Sequence, residues 1–439
     1  MRTSKILNIQ NPHEFKSKLL LWANQFREVI VLDSNEYNQK YTSFDFVVAV
    51  EAFTSIQTDF EKAFEDLYQY QSVTKDWIFG YLSYDLKNDI ERLESHNFDG
   101  LHFPDLYFFQ PKKLFILNGN ELEIQYLHFV DDEIEVDFNE IVSQKTKVKS
   151  QKSTVAIQQR ISKEKYLDKV QKMLDYIHRG DIYEANFCME FYANNVEINA
   201  VELFQKLDTI SEPPFAVYFK NNKQFLLSAS PERYLRKQEN KIISQPIKGT
   251  ARRSFDVKHD EQLKFELEHN EKERSENIMI VDLVRNDLSH TASKGSVKVE
   301  ELCKVYTFKQ VHQMISTIVS NVENSISPVE IIRSTFPMGS MTGAPKISAM
   351  KIIEELEETK RGLYSGAIGY FTPNGDFDFN VVIRSILYNA DNKYLSFSVG
   401  SAITSKSIPE KEHEECLVKA KAMFEVLNSE IRFLDFKNF

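Results

Sequence analysis

Cysteine is nearly absent from this 439-residue chain. Its three, Cys188, Cys303 and Cys416, stand far apart with no C-x-x-C spacing. That argues against a disulfide framework or a zinc–thiolate site and fits a reducing cytoplasm. No apolar run is long enough to span a bilayer, which argues against a membrane protein. Residues 1–10 lack the apolar stretch of a secretory leader. Positive charge is in deficit as well. Lys and Arg number 54 against 65 Asp and Glu, and the net charge of −11 disfavours nucleic acid as a partner. An acidic chain that takes an anionic substrate needs local cations, helix N-termini or a metal. Glycine is scarce too, 13 in all, yet seven fall between Gly339 and Gly400. Such a cluster points to tight turns or to close approach of backbone to a ligand. What is present in quantity is ordinary: 42% hydrophobic and 27% charged residues, enough for a sizeable core.

Along the chain, residues 1–142 read as a mixed α/β region, with strands at 29–32, 77–81 and 114–117 and a helix at 58–70. A polar, basic stretch at 143–156 is the candidate linker. It sets off a second region, 157–430, where the chemical signals concentrate; one large interleaved domain is equally open. In that region Ser162 caps a helix that ends at Gly180. Hairpins turn at Asn221-Asn222, Glu239-Asn240 and Pro373-Asn374-Gly375, and a long helix is expected over 261–287. Consecutive hairpins and long helices predict an α/β chain of the α+β type, an antiparallel sheet sandwich covered by helices.

The Glu239-Asn240 hairpin brings the first chemistry. A tight turn pairs Gln238 with Lys241; a longer one shifts the register and sets Glu232 opposite Lys248, with Cβ atoms about 5 Å apart. As a surface pair the two would contribute only ~0.2–1 kcal/mol. The flanking Pro231, Gly249 and Thr250 mark the strand ends as special backbone. Further on, Thr342-Gly343-Ala344-Pro345 is read as opening a helix with proline at its first position, whose amides can accept an anion. Arg384 is expected in the middle strand of the last meander, facing the core, where it needs an anionic partner.

Six stretches in order carry a resemblance. They are Gly180-Asp181-Ile182-Tyr183, Ser230-Pro231-Glu232-Arg233, Pro246-Ile247-Lys248-Gly249-Thr250, residues 278–287, Thr342-Gly343-Ala344-Pro345-Lys346, and Glu412-x-x-Glu415-x-x-x-Lys419. Over residues 160–430 the chain resembles the chorismate-utilising enzymes, which include anthranilate, isochorismate and salicylate synthases, and most of all their aminodeoxychorismate synthase branch. The resemblance implies their fold and a reaction, the amination of chorismate by ammonia to 4-amino-4-deoxychorismate. It implies Mg²⁺ held by Glu276 and Glu415, with Glu273 and Glu412 beside them. Paired carboxylates on facing helices agree, since they repel without a cation and offer the hard oxygens Mg²⁺ prefers. Each pair alone also reads as a solvated helix face.

By the same resemblance Tyr364 and Arg384 hold the enolpyruvyl carboxylate, and Ser340, Thr342, Gly343, Ala402 and Lys419 contact substrate. His312 resembles a histidine near the substrate ring, although a lone histidine in an apolar stretch is often a satisfied structural residue. Lys248 is implied as the nucleophile that attacks ring carbon two, and Glu232 as the acid that protonates the departing hydroxyl. Anthranilate synthases generally carry Ala where Lys248 stands. The chain departs from the family at Glu184, where Gln or Lys is usual, and at Ala402, where Gly is usual. The missing Lys argues against water activation. A separate glutamine amidotransferase subunit is implied as ammonia source. An anthranilate synthase component I and a catalytically idle chorismate-binding subunit are the competing expectations.

Overall fold

The structure, a computed structural model, describes residues 1–37, 40–42, 44–145, 155–308 and 311–428. Residues 146–154 of the expected linker, and 429–430 of the expected second region, lie outside the described residues. Every ladder is antiparallel, and the ladders form two arms that meet at one long strand, Leu106–Asn118. In the first arm this strand pairs with Phe46–Thr58 and Glu121–Leu127. Pairing continues from Phe46–Thr58 through Glu28–Asp33, Phe215–Asn221, Gln224–Ser230, Ser385–Asn389 and Tyr394–Thr404 to Glu184–Ala193. In the second arm the other end of Leu106–Asn118 pairs with Ile78–Leu82, followed by Ala367–Phe371, Phe377–Val381, Arg233–Gln238, Lys241–Gln245 and Val311–Asn321. Val311–Asn321 also holds Ile247–Arg252 and Lys298–Thr307.

The central strands of the first arm bury apolar side chains on both faces, because both faces are covered. In Glu28–Asp33, Val29 and Val31 pack under helices while Ile30 faces the second arm. Ala216 and Tyr218 alternate with Val217 and Phe219 in the same way. Six helices close the outer face: Pro12–Ala23, Ile134–Ser143, Lys163–Arg179, Ala200–Ser211, Lys346–Leu356 and Pro409–Val426. The core between the arms continues under Ala63–Thr74, Glu271–Ser289 and Pro328–Thr335. The antiparallel, helix-covered sandwich expected from the hairpins is therefore what forms. The expected division at 142/157 does not separate two sheets, since Glu28–Asp33 and Ile78–Leu82 pair directly with strands of the later region.

Ser162 caps its helix as expected, accepting the Lys165 N–H at 3.2 Å, and Gly180 ends it at φ 90°. Other boundaries differ. Residues 46–58 are one strand, and the helix expected at 58–70 begins only at Ala63. The helix expected over 261–287 is two, Val257–His269 and Glu271–Ser289. They break at Asn270, whose side chain accepts the Glu273 N–H. Pro345 precedes Lys346–Leu356 as its cap and is not its first residue, because Gly343-Ala344 is pinned as a short strand against Glu184-Ala185.

The helix Pro409–Val426 is anchored by Phe424, whose ring meets Phe191 at 5.0 Å and Phe397 at 5.1 Å, both edge-on. Phe424→Ala is expected to cost about 3–5 kcal/mol, read as a lowered denaturation midpoint in urea.

Candidate active site

The first arm's inner face loses its apolar character at one end. On Glu184–Ala193 the residues facing inward are Glu184, Asn186 and Cys188, opposite Thr404, Ala402 and Gly400 of the neighbouring strand. Glu184, Asn186 and Cys188 are all buried. A buried carboxylate needs a partner. It has one in Lys248, whose Nζ donates to Glu184 Oε1 at 3.0 Å. The second carboxylate oxygen, Oε2, is buried with no hydrogen-bond partner.

Lys248 and Glu232 do come together, but not as a cross-strand pair. The hairpin pairs Gln238 with Lys241, and a bulge between Arg233 and Arg236 then shifts the register so that Arg233 meets Gln245. Beyond Pro246 the chain leaves the hairpin to pair with Val311–Asn321. Glu232 sits just before its strand, where its carboxyl accepts the Ser340 hydroxyl and the Ile247 N–H. Burial pushes that carboxyl up to about 7 against the pull of Ser340 and the Lys248 charge. Burial alone would lower the Lys248 pKa, but Glu184, Glu276 and Glu232 outweigh it and raise it, so the resting amine is an ammonium.

Two helices bring the four expected glutamates to the rim. Glu273 and Glu276 lie on Glu271–Ser289, Glu412 and Glu415 on Pro409–Val426. Between them stands Lys272, 3.7 Å from both Glu276 and Glu412. Its role was not foreseen, although Glu271-Lys272-Glu273 in the first turn of an acidic helix is a visible signal. Glu276 is pushed up to about 7, chiefly by burial, and its Oε1 makes no hydrogen bond. Glu273 is raised by burial and by Glu415. Burial would raise Glu415 too, but Lys419, at 2.6 Å, pulls it down. Among the described residues no three His, Cys, Asp or Glu side chains are gathered closely enough to hold a metal as they stand. The donor chemistry nevertheless suits a hard divalent cation, and the orphaned Glu276 oxygen is a free ligand position.

Lys419 also donates to the Gly400 carbonyl at 2.8 Å, beside Ala402. Gly400 has no room for a side chain, since a Cβ there would lie 2.6 Å from Cys188 Sγ. Tyr364 is buried with its hydroxyl 3.8 Å from Cys188 Sγ and shares an electrostatic neighbourhood with Arg384. Arg384 is not in a strand. It lies between Phe377–Val381 and Ser385–Asn389 with φ 53°, left-handed backbone that is uncommon outside glycine. Its guanidinium has no hydrogen bond or ion pair among the described residues. Thr342 is buried, and its hydroxyl is spent on the carbonyls of Met338 and Gly339, so only its backbone borders the site. His312 has its ring nitrogens taken by Thr307 at 3.0 Å and Asp260 at 3.1 Å, with no hydrogen bond to Lys248, Glu232 or Arg384 among the described residues.

Residues 27–425 match the family model described as chorismate binding enzyme. This chain belongs to the chorismate binding enzyme family. It is 31% identical to aminodeoxychorismate synthase component 1 of Bacillus subtilis, over 78% of this chain and 75% of that protein. It is 32% identical to anthranilate synthase component 1 of Thermus thermophilus, over 80% and 77%. A probable chloroplastic aminodeoxychorismate synthase of Oryza sativa is 41% identical over 61% of this chain, yet the match spans only 30% of the rice protein. The fold is that of anthranilate synthase component I from Streptococcus pneumoniae, with a TM-score of 0.76 at 22% identity over 88% of this chain and 94% of the other. It is also that of the Escherichia coli isochorismate synthase MenF, with a TM-score of 0.77 at 17% identity over 97% and 94%.

Gly343 fixes how Glu184 is presented, because a Cβ there would meet the Glu184 carbonyl at 2.1 Å. Gly343→Ala is expected to cost about 1–3 kcal/mol through overpacking, seen as a lower thermal midpoint.

Proposed function

We propose that the chain is component I of an aminodeoxychorismate synthase, replacing the 4-hydroxyl of chorismate with nitrogen from ammonia to give 4-amino-4-deoxychorismate, a precursor of para-aminobenzoate and folate. The observation that carries this reading is Lys248, an amine whose side chain is only 12% exposed, in the same cluster as a buried carboxyl, Glu232, pushed up to about 7. In this reading Lys248, once deprotonated, attacks ring carbon two. The ring double bonds shift, the carbon–oxygen bond at carbon four breaks, and Glu232 supplies the proton with which water leaves. Ammonia then attacks carbon four, and Lys248 departs from carbon two as the amine. Glu232 recovers a proton from the new ammonium.

Chorismate carries two carboxylates, and the site answers with separate cations. Arg384 and Tyr364 receive the enolpyruvyl carboxylate, while Lys419 and the Gly400–Ala402 backbone border the ring. Mg²⁺ held by Glu276 and Glu415, with Glu273 and Glu412 close by, would bind the ring carboxylate and orient the ring. Lys272 occupies the space between these helices and has to swing outward when the metal enters; its side chain is 42% exposed, which leaves it that freedom.

The nitrogen comes from outside the chain. Glutamine hydrolysis typically uses an activated thiolate, and all three cysteines here are buried, with Cys188 pushed up to about 12 and Cys416 to about 11, chiefly by burial. A separate glutamine amidotransferase subunit is the fitting source. Unpaired thiols also accord with a cytoplasmic setting. The anthranilate alternative rests on relatives of similar identity, and Lys248 speaks against it. An idle subunit is disfavoured because Lys248, Glu232, Glu276 and Glu415 are all retained.

Product identification by mass decides among these. With chorismate, Mg²⁺ and ammonium salt, the chain alone should form aminodeoxychorismate, and Lys248→Ala should lose that product while still binding chorismate. Anthranilate as the wild-type product, or an unchanged rate in Lys248→Ala, overturns the reading. A magnesium titration tests the metal separately, by turnover and by calorimetry with chorismate present. Glu276→Gln and Glu415→Gln should each raise the magnesium needed severalfold, whereas Lys272→Met should lower it. No shift in either Gln variant removes the metal assignment.

A further inference from the structure

The mechanism needs Lys248 as a free amine, and its surroundings keep it charged. Carboxylates on several elements face it: Glu184 from the strand Glu184–Ala193, Glu232 from the turn after Gln224–Ser230, Glu273 and Glu276 from the helix Glu271–Ser289, and Glu415 from the helix Pro409–Val426. Glu184 is the one that touches it. The Glu184 contact is the ion pair Lys248 makes among the described residues, and the remaining glutamates lie beyond ion-pair distance of its Nζ. Glu232 cannot take the proton, since it must arrive at the reaction already protonated. Glu184 is 2% exposed, its side chain receives one hydrogen bond, from Lys248, and its Oε2 is buried without a donor. An ordinary buried carboxylate is held ionised by several donors; this one has Lys248 as its single donor, with Oε1 at 3.0 Å, one proton hop from the nucleophile.

We propose that Glu184 is the proton acceptor of Lys248, taking one proton from Nζ to release the amine before attack and returning it once the lysine has left the ring. The inference rests on the aminating reading above. The exchange balances. Lys248-NH₃⁺ and the Glu184 carboxylate become Lys248-NH₂ and the Glu184 carboxylic acid. The covalent cycle regenerates Lys248-NH₂, and the proton goes back. No net proton enters through Glu184, so Glu232 remains the source for the leaving water. Closure of substrate over the pair drives the first transfer. Excluding water disfavours two adjacent charges that lack full hydrogen bonding and favours the neutral pair.

The test uses the whole chain with chorismate, Mg²⁺ and ammonium salt, at fixed free ammonia across a pH series. Glu184→Gln, of equal size, should lower kcat about 10²-fold or more, within the range for a lost general base, while KM for chorismate stays within about threefold. Glu184→Ala should be equally slow, and formate, a small carboxylate that fits the vacated space, should restore its kcat about tenfold or more. Formate should do nothing for Lys248→Ala. A purely electrostatic role would instead move the acidic limb of the kcat profile to lower pH in Glu184→Gln and leave the plateau intact; that outcome overturns the proposal. So does a Glu184→Ala variant that formate fails to rescue. If Lys248→Ala keeps the wild-type rate, the lysine reading itself fails. If Lys248→Ala is silent and Glu184→Gln is fully active, this inference alone fails.

Discussion

At the site, most of the charge that is buried is answered by opposite charge, and that pairing organises it. Glu184 lies at the end of a sheet whose two faces are otherwise apolar, and it is tolerable there because Lys248 reaches it. Lys248 in turn reaches inward because the chain beyond Pro246 abandons its hairpin partner for the strand Val311–Asn321. The alternation continues outward. Lys272 stands between Glu276 and Glu412, and Lys419 pairs with Glu415. Lys248, Lys272 and Lys419 each also reach a second element, through Glu184, Glu412 and the Gly400 carbonyl respectively, so these contacts help hold the walls of the site together. Among the cations of the site Arg384 differs, with no hydrogen bond or ion pair among the described residues, and the proposed reading gives it the enolpyruvyl carboxylate.

How much of this could be read beforehand depended on whether local rules applied. The capped helix from Ser162 to Gly180 was legible, because the cap, the apolar spacing and the terminal glycine all lie within one segment. The sandwich class was legible from consecutive hairpins. The Glu232–Lys248 proximity was anticipated for the wrong reason. Register was inferred from turn length, whereas a bulge between Arg233 and Arg236 displaces it and the strand itself changes partners. Sequence cannot reveal such a change, because it is decided by the competing edge strand. Arg384 was misplaced for a related reason. Period-two alternation runs through residues 381–385, and the left-handed residue that interrupts the ladder leaves no mark in residue type. Asn270 was the more available signal, a good helix cap sitting inside what was read as one helix.

The glycine cluster has a plain physical explanation. Gly343 and Gly400 stand where backbones or side chains approach too closely for a Cβ, the first against Glu184 and the second against Cys188. Both contacts lie on the strand that presents Glu184, so these glycines serve the precision of the site more than they serve turns. Gly375, by contrast, takes a left-handed turn at φ 77° in the hairpin before Phe377–Val381. Scarcity elsewhere and crowding here follow from one demand, close layering around a small enclosed space.

That enclosed space is assembled from residues whose positions run from Glu184 to Lys419, and the contacts that close it are long-range. Glu184 meets Lys248 across 64 residues. Glu232 depends on Ser340, and the Gly400 carbonyl depends on a helix that returns after the last strand. Contacts of such separation form late, after loop closure has been offset by core burial. The site is therefore supported by the finished sandwich and contributes little to forming it. This is why the buried carboxylates can keep oxygens without donors. The stability of the two apolar cores carries Glu184 and Glu276 with one oxygen each left without a hydrogen bond, the feature on which the proposed proton exchange and cation binding both draw.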